Sequence, residues 1–266
     1  MLVWQLKTNF NTKMKKMYND QGSLEKAVIG AYEFSIGEIL SEAWQKVPGS
    51  KLKIVGAMFI YAVLATLATG LISLFLDAQP YYDANQLVEG VMIDTLVGWI
   101  ASPVTIPLSL GVLLLGYARA NDEELRIDAI FNYYVLVWPL FFASMLITIL
   151  TYIGFLFLLL PGIYLSIAYS FTLPLMIDKK LDIWGAMEVS RQAVTTHWFT
   201  IAGVNATMVI LIILSAIPFG IGLIWTIPLM MIVQGVMYRK IFGWKIHDPI
   251  ANEEAETVEE PKALEE

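Results

Sequence analysis

The chain of 266 residues has no cysteine and only two histidines, His197 and His247. Without cysteine there is no disulfide framework, no thiolate nucleophile and no Cys-based metal site. Two histidines 50 residues apart cannot build a haem or multi-histidine metal core. Charge is scarce as well, at 15% of residues, against about 25% in a soluble domain. The net charge of −7 lacks the basic excess of a nucleic-acid-binding surface. No His-Glu-x-x-His, Walker loop or Gly-x-Ser-x-Gly elbow is present. The N-terminus does not read as a signal peptide, because Lys13, Lys15 and Lys16 follow the short apolar start instead of leading it.

What the chain has is hydrophobicity: 57% apolar residues and a mean hydropathy of +0.64. The apolar residues are gathered into long uncharged runs. Ile54–Leu76 holds 23 residues without a charge and Thr95–Ala118 holds 24, each enough for a ~30 Å hydrocarbon core. Ala129–Ile177 runs for 49 residues. A rod of that length would reach about 73 Å, so it has to reverse once. Gly154 and Pro161-Gly162 punctuate the region between Tyr152 and Gly162 where it does so. Phe199–Tyr238 is another 40 uncharged residues, centred on Pro218-Phe219-Gly220. The expected fold class is all-α: a polytopic membrane helical bundle of six transmembrane helices, at about 54–76, 95–118, 133–153, 156–177, 199–216 and 220–238. A β-barrel is excluded, since its strands would be about 10 residues of alternating polarity.

The cations test this count independently. All 17 lysines and arginines fall in the two ends and the 119–132 and 178–198 connections, and none falls in 77–94 or the two tight turns. The positive-inside rule then places both termini in the cytoplasm of a cell inner membrane. Trp44, Trp138, Trp184, Trp198 and Trp244 read as anchors at the cytoplasmic ends, with Trp99 and Trp225 at the outer ends. Residues 1–33 read as a cytoplasmic extension, 34–246 as the membrane domain, and 247–266, rich in glutamate, as an acidic disordered tail.

Three amphipathic pieces precede span pairs. Ser35-Ile36-Gly37-Glu38 has the form of a capping box, and Ile36, Ile39, Leu40, Ala43, Trp44 and Val47 follow at helical spacing. Asn121-Asp122-Glu123-Glu124 makes a similar start ahead of Leu125, Ile130, Phe131 and Tyr134, and Asp182 caps a third segment through Trp198. These read as interfacial helices lying with their apolar faces on lipid; the alternative is a threefold repeat of one interfacial helix and one hairpin.

Chemistry is hard to find. No ionisable residue lies inside any expected span, which argues against a proton-coupled pump or an intramembrane protease. Asp77, Asp83, Glu89 and Asp94 crowd the outer connection and read as a solvated face. Asn205 and Gln234 are the amides within spans; both should face the bundle as interhelical glue, with a substrate contact as the alternative. Pro103, Pro107, Pro139, Pro161, Pro174 and Pro228 lie in or beside spans, and an interior proline frees a carbonyl of the kind that lines transporter sites. Pro161 is expected in the first turn of the fourth helix, after a short outer segment at 155–160; the alternative is a turn near Gly154 with 156–177 as a single helix kinked at Pro161. No catalytic residue, metal ligand or cofactor is expected, and the binding residues stay open.

One stretch carries a resemblance. Leu160-Pro161-Gly162-Ile163-Tyr164-Leu165, an aromatic-rich run ending Leu173-Pro174-Leu175, the amphipathic segment with Ala186 and Ser190, and upstream Phe34–Leu40 with Ala43-Trp44 resemble a set of uncharacterised bacterial multi-pass inner-membrane proteins. They are similar to the membrane module fused to some glycerophosphodiester phosphodiesterases. The resemblance covers about residues 33–243; the phosphodiesterase domain is absent, so it implies no hydrolase activity. The reading that follows is a non-enzymatic integral inner-membrane protein, a partner-binding or envelope-maintenance component. Its alternative is a transporter or channel for a small or lipid-like solute, with a membrane enzyme as the third and weakest reading. The partners are the lipid bilayer and either a protein or a lipid-like ligand, and no nucleic acid.

Overall fold

The computed structural model describes residues 22–76, 87–217 and 219–244, and every regular element among them is helical. The acidic tail, the first 21 residues, Pro218, His247, Asp77 and Asp83 lie outside the described residues, as does the side chain of Glu89. In chain order the helices are α1 (Leu24–Val28), α2 (Ile36–Lys46), α3 (Lys51–Phe75) and α4 (Leu87–Ala120). A 3-10 segment, Asp128–Leu136, runs into α5 (Val137–Phe157), followed by α6 (Leu159–Ala168), α7 (Thr172–Asp178), α8 (Ile183–Thr196), α9 (Trp198–Ala216) and α10 (Leu223–Phe242). Among the described residues five stretches are long and apolar enough to cross a membrane: Lys51–Phe75, Gly90–Ala120, Asp128–Phe157, Leu159–Asp178 and Trp198–Ala216.

Proline placement explains where these helices start. Pro139, Pro161 and Pro174 are each the third residue of their helix, α5, α6 and α7. Amide hydrogens in the first turn have no intrahelical partner, so a proline there forfeits no bond. The long apolar run reverses at Leu158, whose backbone is extended (φ −165°, ψ 152°). α5 therefore continues through Phe157, and the short outer segment expected at 155–160 does not form. Across the reversal α5 and α6 pack closely at Gly154 and Gly162: a Cβ on Gly154 would lie 3.1 Å from the Gly162 Cα.

The expected single helix over 156–177 is broken at Tyr169–Phe171 into α6 and α7. In a continuous helix the Pro174 ring would meet the carbonyl of Ser170, four residues back, and the break removes that clash. A second correction concerns 121–136. Asn121–Glu124 starts no α-helix; Asp122 takes a left-handed conformation (φ 61°) and the chain resumes as the 3-10 segment at Asp128. Pro103 and Pro107 are interior to α4, which nevertheless stays helical throughout. Pro103 frees the Trp99 carbonyl, and Ser102 Oγ donates to that oxygen at 2.6 Å. The freed group is thus satisfied within the helix instead of lining an opening.

The core is built on α10. Twelve of its 20 residues are buried. Its Gln234, Arg239 and Lys240 make it less apolar than the five stretches above, and the neighbouring helices shield them. α10 runs parallel to α4: Gly116 faces Met231, Gly235 faces Tyr117, and Arg239 Nη1 donates to the Ala120 carbonyl at 2.6 Å. The two glycines let the backbones touch, since a Cβ on Gly235 would lie 2.6 Å from the Tyr117 Cα. α9 returns antiparallel along α10, joined by Ser215 and Thr226 at one end and by Asn205 and Gln234 further along.

The amphipathic helices find protein where lipid was expected. Ser35 and Asp182 cap α2 and α8 through Glu38 N (3.2 Å) and Gly185 N (3.3 Å), as the capping patterns predict. The apolar face of α2, however, has Ile39, Ala43 and Val47 buried, with α9 and α10 as its neighbours. α8 lies lengthwise along α6 and α7, burying Ala186, Met187, Ser190, Ala193 and Val194. Ser190 Oγ donates to the Ala168 carbonyl at 2.7 Å, and the Tyr164 and Thr195 hydroxyls meet at 2.7 Å.

Candidate functional site: the polar end of the bundle

The charges that the sequence spreads over four connections come together in space. α2, the C-terminal ends of α4, α7 and α10, and the 121–125 loop meet at one end of the molecule. Lys46 pairs with Asp122 at 2.6 Å, Lys240 with Glu38 at 2.5 Å, and Arg239 with Glu42. Arg119 Nε donates to the Lys46 carbonyl at 2.8 Å and Lys53 Nζ to the Leu125 carbonyl at 3.1 Å. Deeper in, Lys179 pairs with the fully buried Asp178 carboxylate at 2.8 Å, and the Tyr238 hydroxyl donates to the same carboxylate at 2.8 Å. Arg239 and Lys179 each join a carboxylate to a main-chain carbonyl of another segment, Arg239 to Glu42 and Ala120 and Lys179 to Asp178 and Gly243. These bonds tie the corner together, and removing Lys179 would strand the buried Asp178 carboxylate.

Two tryptophan assignments change. Trp244 is buried, not lipid-facing: its ring packs on Tyr117 and Tyr238, and its Nε1 donates to Glu123 at 2.6 Å. Trp225 was expected at the outer end, far from Lys51, yet the Lys51 ammonium sits 5.0 Å from the Trp225 ring centroid. The contact gives Trp225 a cation partner. Trp44, Trp138 and Trp184 are exposed, in keeping with anchoring.

The amides of Asn205 and Gln234 lie part-buried and satisfy each other. Gln234 Nε2 donates to Asn205 Oδ1 at 2.9 Å, while Asn205 Nδ2 donates to the Ile201 carbonyl at 2.9 Å. This is the geometry of interhelical glue. Among the described residues no cluster of three His, Asp or Glu could hold a metal.

Sequence reasoning missed a groove beside the polar end. It has a volume of about 600 Å³ and is lined by Tyr32, Glu33, Phe34, Ser35, Glu38, His197 and Thr200. The 30–38 segment is held to the last turn of α8 and to the His197 that precedes α9 by two bonds: Tyr32 OH donates to the Ala193 carbonyl at 2.6 Å, and His197 Nε2 lies 3.0 Å from the Gly30 carbonyl. A carbonyl only accepts, so Nε2 carries the hydrogen, and in the neutral ring Nδ1 is left as an acceptor. The Tyr32 ring sits 4.6 Å from that of His197 and stacks on Phe34 at 5.8 Å. Burial pushes the Tyr32 hydroxyl well above its ordinary pKa, so it stays a donor. The hydrogen bond from Lys240 holds the Glu38 carboxyl below its usual range. The only sequence signal for this site was Tyr-x-Phe-Ser ahead of a capping box, which reads locally as nothing more than a helix start.

A helical protein with five apolar stretches of membrane-spanning length, closed at one end by an ion-pair network, belongs to the class of multi-pass membrane proteins. No known protein family matches the chain, and neither a curated protein nor a solved structure does.

Proposed function

We propose that this is a non-enzymatic integral protein of a cell inner membrane, with six spans and both termini in the cytoplasm. It works by binding, as a partner-binding or envelope-maintenance component. α10 is the sixth span: at 20 residues it reaches about 30 Å, and its flanking helices cover its polar groups. In this reading the chain is a relative of the uncharacterised bacterial multi-pass proteins whose Leu-Pro-Gly-Ile-Tyr-Leu run it resembles. The observation that carries the proposal is the polar end itself. Its charged side chains are committed to one another and to main-chain carbonyls, which makes a preformed platform with an open groove at its edge. The transport alternative needs Asn205 and Gln234 free for a solute, and they are bonded to each other.

Native mass spectrometry of the protein purified in mild detergent tests this reading. A companion, lipid or protein, retained in stoichiometric amount is the expected result. A protein that leaves the detergent bare and moves a solute into proteoliposomes overturns it. The topology has its own test. A cysteine introduced at Ala84 should react with an impermeant maleimide in whole cells and one at Ala255 should not; the reverse labelling sinks the orientation.

A further inference from the structure

The groove between residues 32–38 and the start of α9 has a lining of one chemical kind. Glu33 is exposed and makes no ion pair among the described residues. Glu38, the Ser35 and Thr200 hydroxyls and His197 Nδ1 add further acceptors, and the stacked Tyr32 and Phe34 rings supply π-faces. Among the described residues the cation that reaches this lining, Lys240, is committed to Glu38 and Glu42. Carboxylates, acceptor nitrogen and aromatic faces around one concavity are the complement of an organic ammonium: each N–H finds an acceptor and the charge finds both carboxylate and ring. An anionic ligand would meet Glu33 and Glu38 head on.

Two exposed apolar side chains stand next in the chain to residues of the groove and its ties. Ile29, next to the Gly30 that holds His197, is 74% exposed, and Phe199, next to Thr200, is 86% exposed. A free polyamine or amino acid has no use for these two side chains. The acyl chains of a lipid would cover them. We propose that the groove binds the ammonium of an amine lipid headgroup of the ethanolamine type, with the lipid tails lying against Ile29 and Phe199. The proposal rests on the reading of the protein as a membrane-embedded binder. In it Glu33 takes the ammonium, His197 and Thr200 accept its remaining hydrogens, and Phe34 closes one side of the charge.

The test reconstitutes the full chain with phosphatidylethanolamine, phosphatidylcholine or phosphatidylglycerol and measures the lipid retained by native mass spectrometry. Wild type should keep phosphatidylethanolamine over phosphatidylglycerol by at least about tenfold, the scale of one charge-assisted hydrogen bond. Phosphatidylcholine should fall between them, because its methylated ammonium keeps the charge and loses the hydrogen bonds. Glu33→Gln, at an exposed position that leaves the fold alone, should bring the ratio close to one. Equal retention of all three lipids, or a preference untouched by Glu33→Gln, overturns the assignment. Thermal stabilisation by spermidine or free ethanolamine without any lipid preference also overturns it, since the ligand would then be a soluble amine. If a stoichiometric companion is retained but shows no headgroup preference, the groove assignment fails while the binding function stands. If nothing is retained, both fail.

Discussion

The crossing of α4 and α10 offers the sharpest test of how the bundle is held. A Cβ built on Gly235 would lie 2.6 Å from the Tyr117 Cα, 2.9 Å from the Ala120 Cβ and 3.0 Å from the Gly116 carbonyl oxygen. Carbon atoms prefer about 3.5–4.0 Å, so Gly235→Ala forces the two helices apart by roughly 1 Å. Two of the three obstructing atoms are main chain and cannot rotate away. Overpacking of this kind costs about 1–3 kcal/mol, and the better helix propensity of alanine returns at most ~1 kcal/mol of it. The expected net loss is about 1–2 kcal/mol, which for a chain of this size lowers the melting midpoint by about 2–8 °C. Thermal unfolding of the detergent-purified protein reads it directly. Gly98→Ala, in the same α4 but with nothing within 4 Å of its Cβ, is the control and should leave the midpoint unchanged or higher. Gly116→Ala added to Gly235→Ala should cost less than it does alone, because the first substitution has already parted the helices. If Gly235→Ala matches wild type and tracks Gly98→Ala, the close crossing is not what holds α10 in place.

Three further outcomes are expected. Pro161→Ala should shift stability by under about 1 kcal/mol, since the third residue of α6 has no intrahelical bond to regain; a large drop in melting midpoint would mean that the ring itself wedges α5 from α6. A double-mutant cycle of Asn205→Leu and Gln234→Leu should give a coupling of about 0.6–2 kcal/mol, and additive losses would show that the two amides act separately. The Glu38 carboxyl is held below its unfolded value, so its contribution is in place above the unfolded pKa of about 4.3 and is lost as pH falls through the lower folded value. Hydrogen-exchange protection across residues 36–46, corrected for the slower intrinsic exchange in acid, should therefore be weaker at pH 3 than at pH 6, and Glu38→Gln should show the weaker protection at both; protection equal at the two pH values would remove Glu38–Lys240 from the forces docking α2.

Much of the helical layout is legible in the chain because hydropathy and caps are local. Ser35 and Asp182 cap where their spacing to Glu38 and Gly185 says they must, and the lone amides Asn205 and Gln234 meet because a bundle offers them little else. What failed was whatever depends on the identity of a neighbour. An apolar stripe such as Ile39-Ala43-Val47 reads the same whether lipid or α10 will cover it. Trp244 looks like an interfacial anchor until Glu123, 121 residues away, takes its indole hydrogen. The break at Tyr169–Phe171 is encoded by Pro174, but the hydropathy of the run outweighs one residue in any window. The groove joins residues 32–38 to 197–200, and no local pattern links two segments so far apart.

Among the described helices the most deeply enclosed is also the last in chain order. α4 presents Gly116 and Tyr117, and α2 presents Ile39 and Ala43, to a partner, α10, that begins at Leu223. At about 5–20 residues per second, roughly 10–40 s of translation separate the emergence of α2 from that of α10. Throughout that interval the faces meant for α10 have no native cover, and a ribosome that stops after α9 leaves them bare. Until α10 emerges, a nascent chain of this protein is an unfinished assembly whose seam along α2 and α4 stands open.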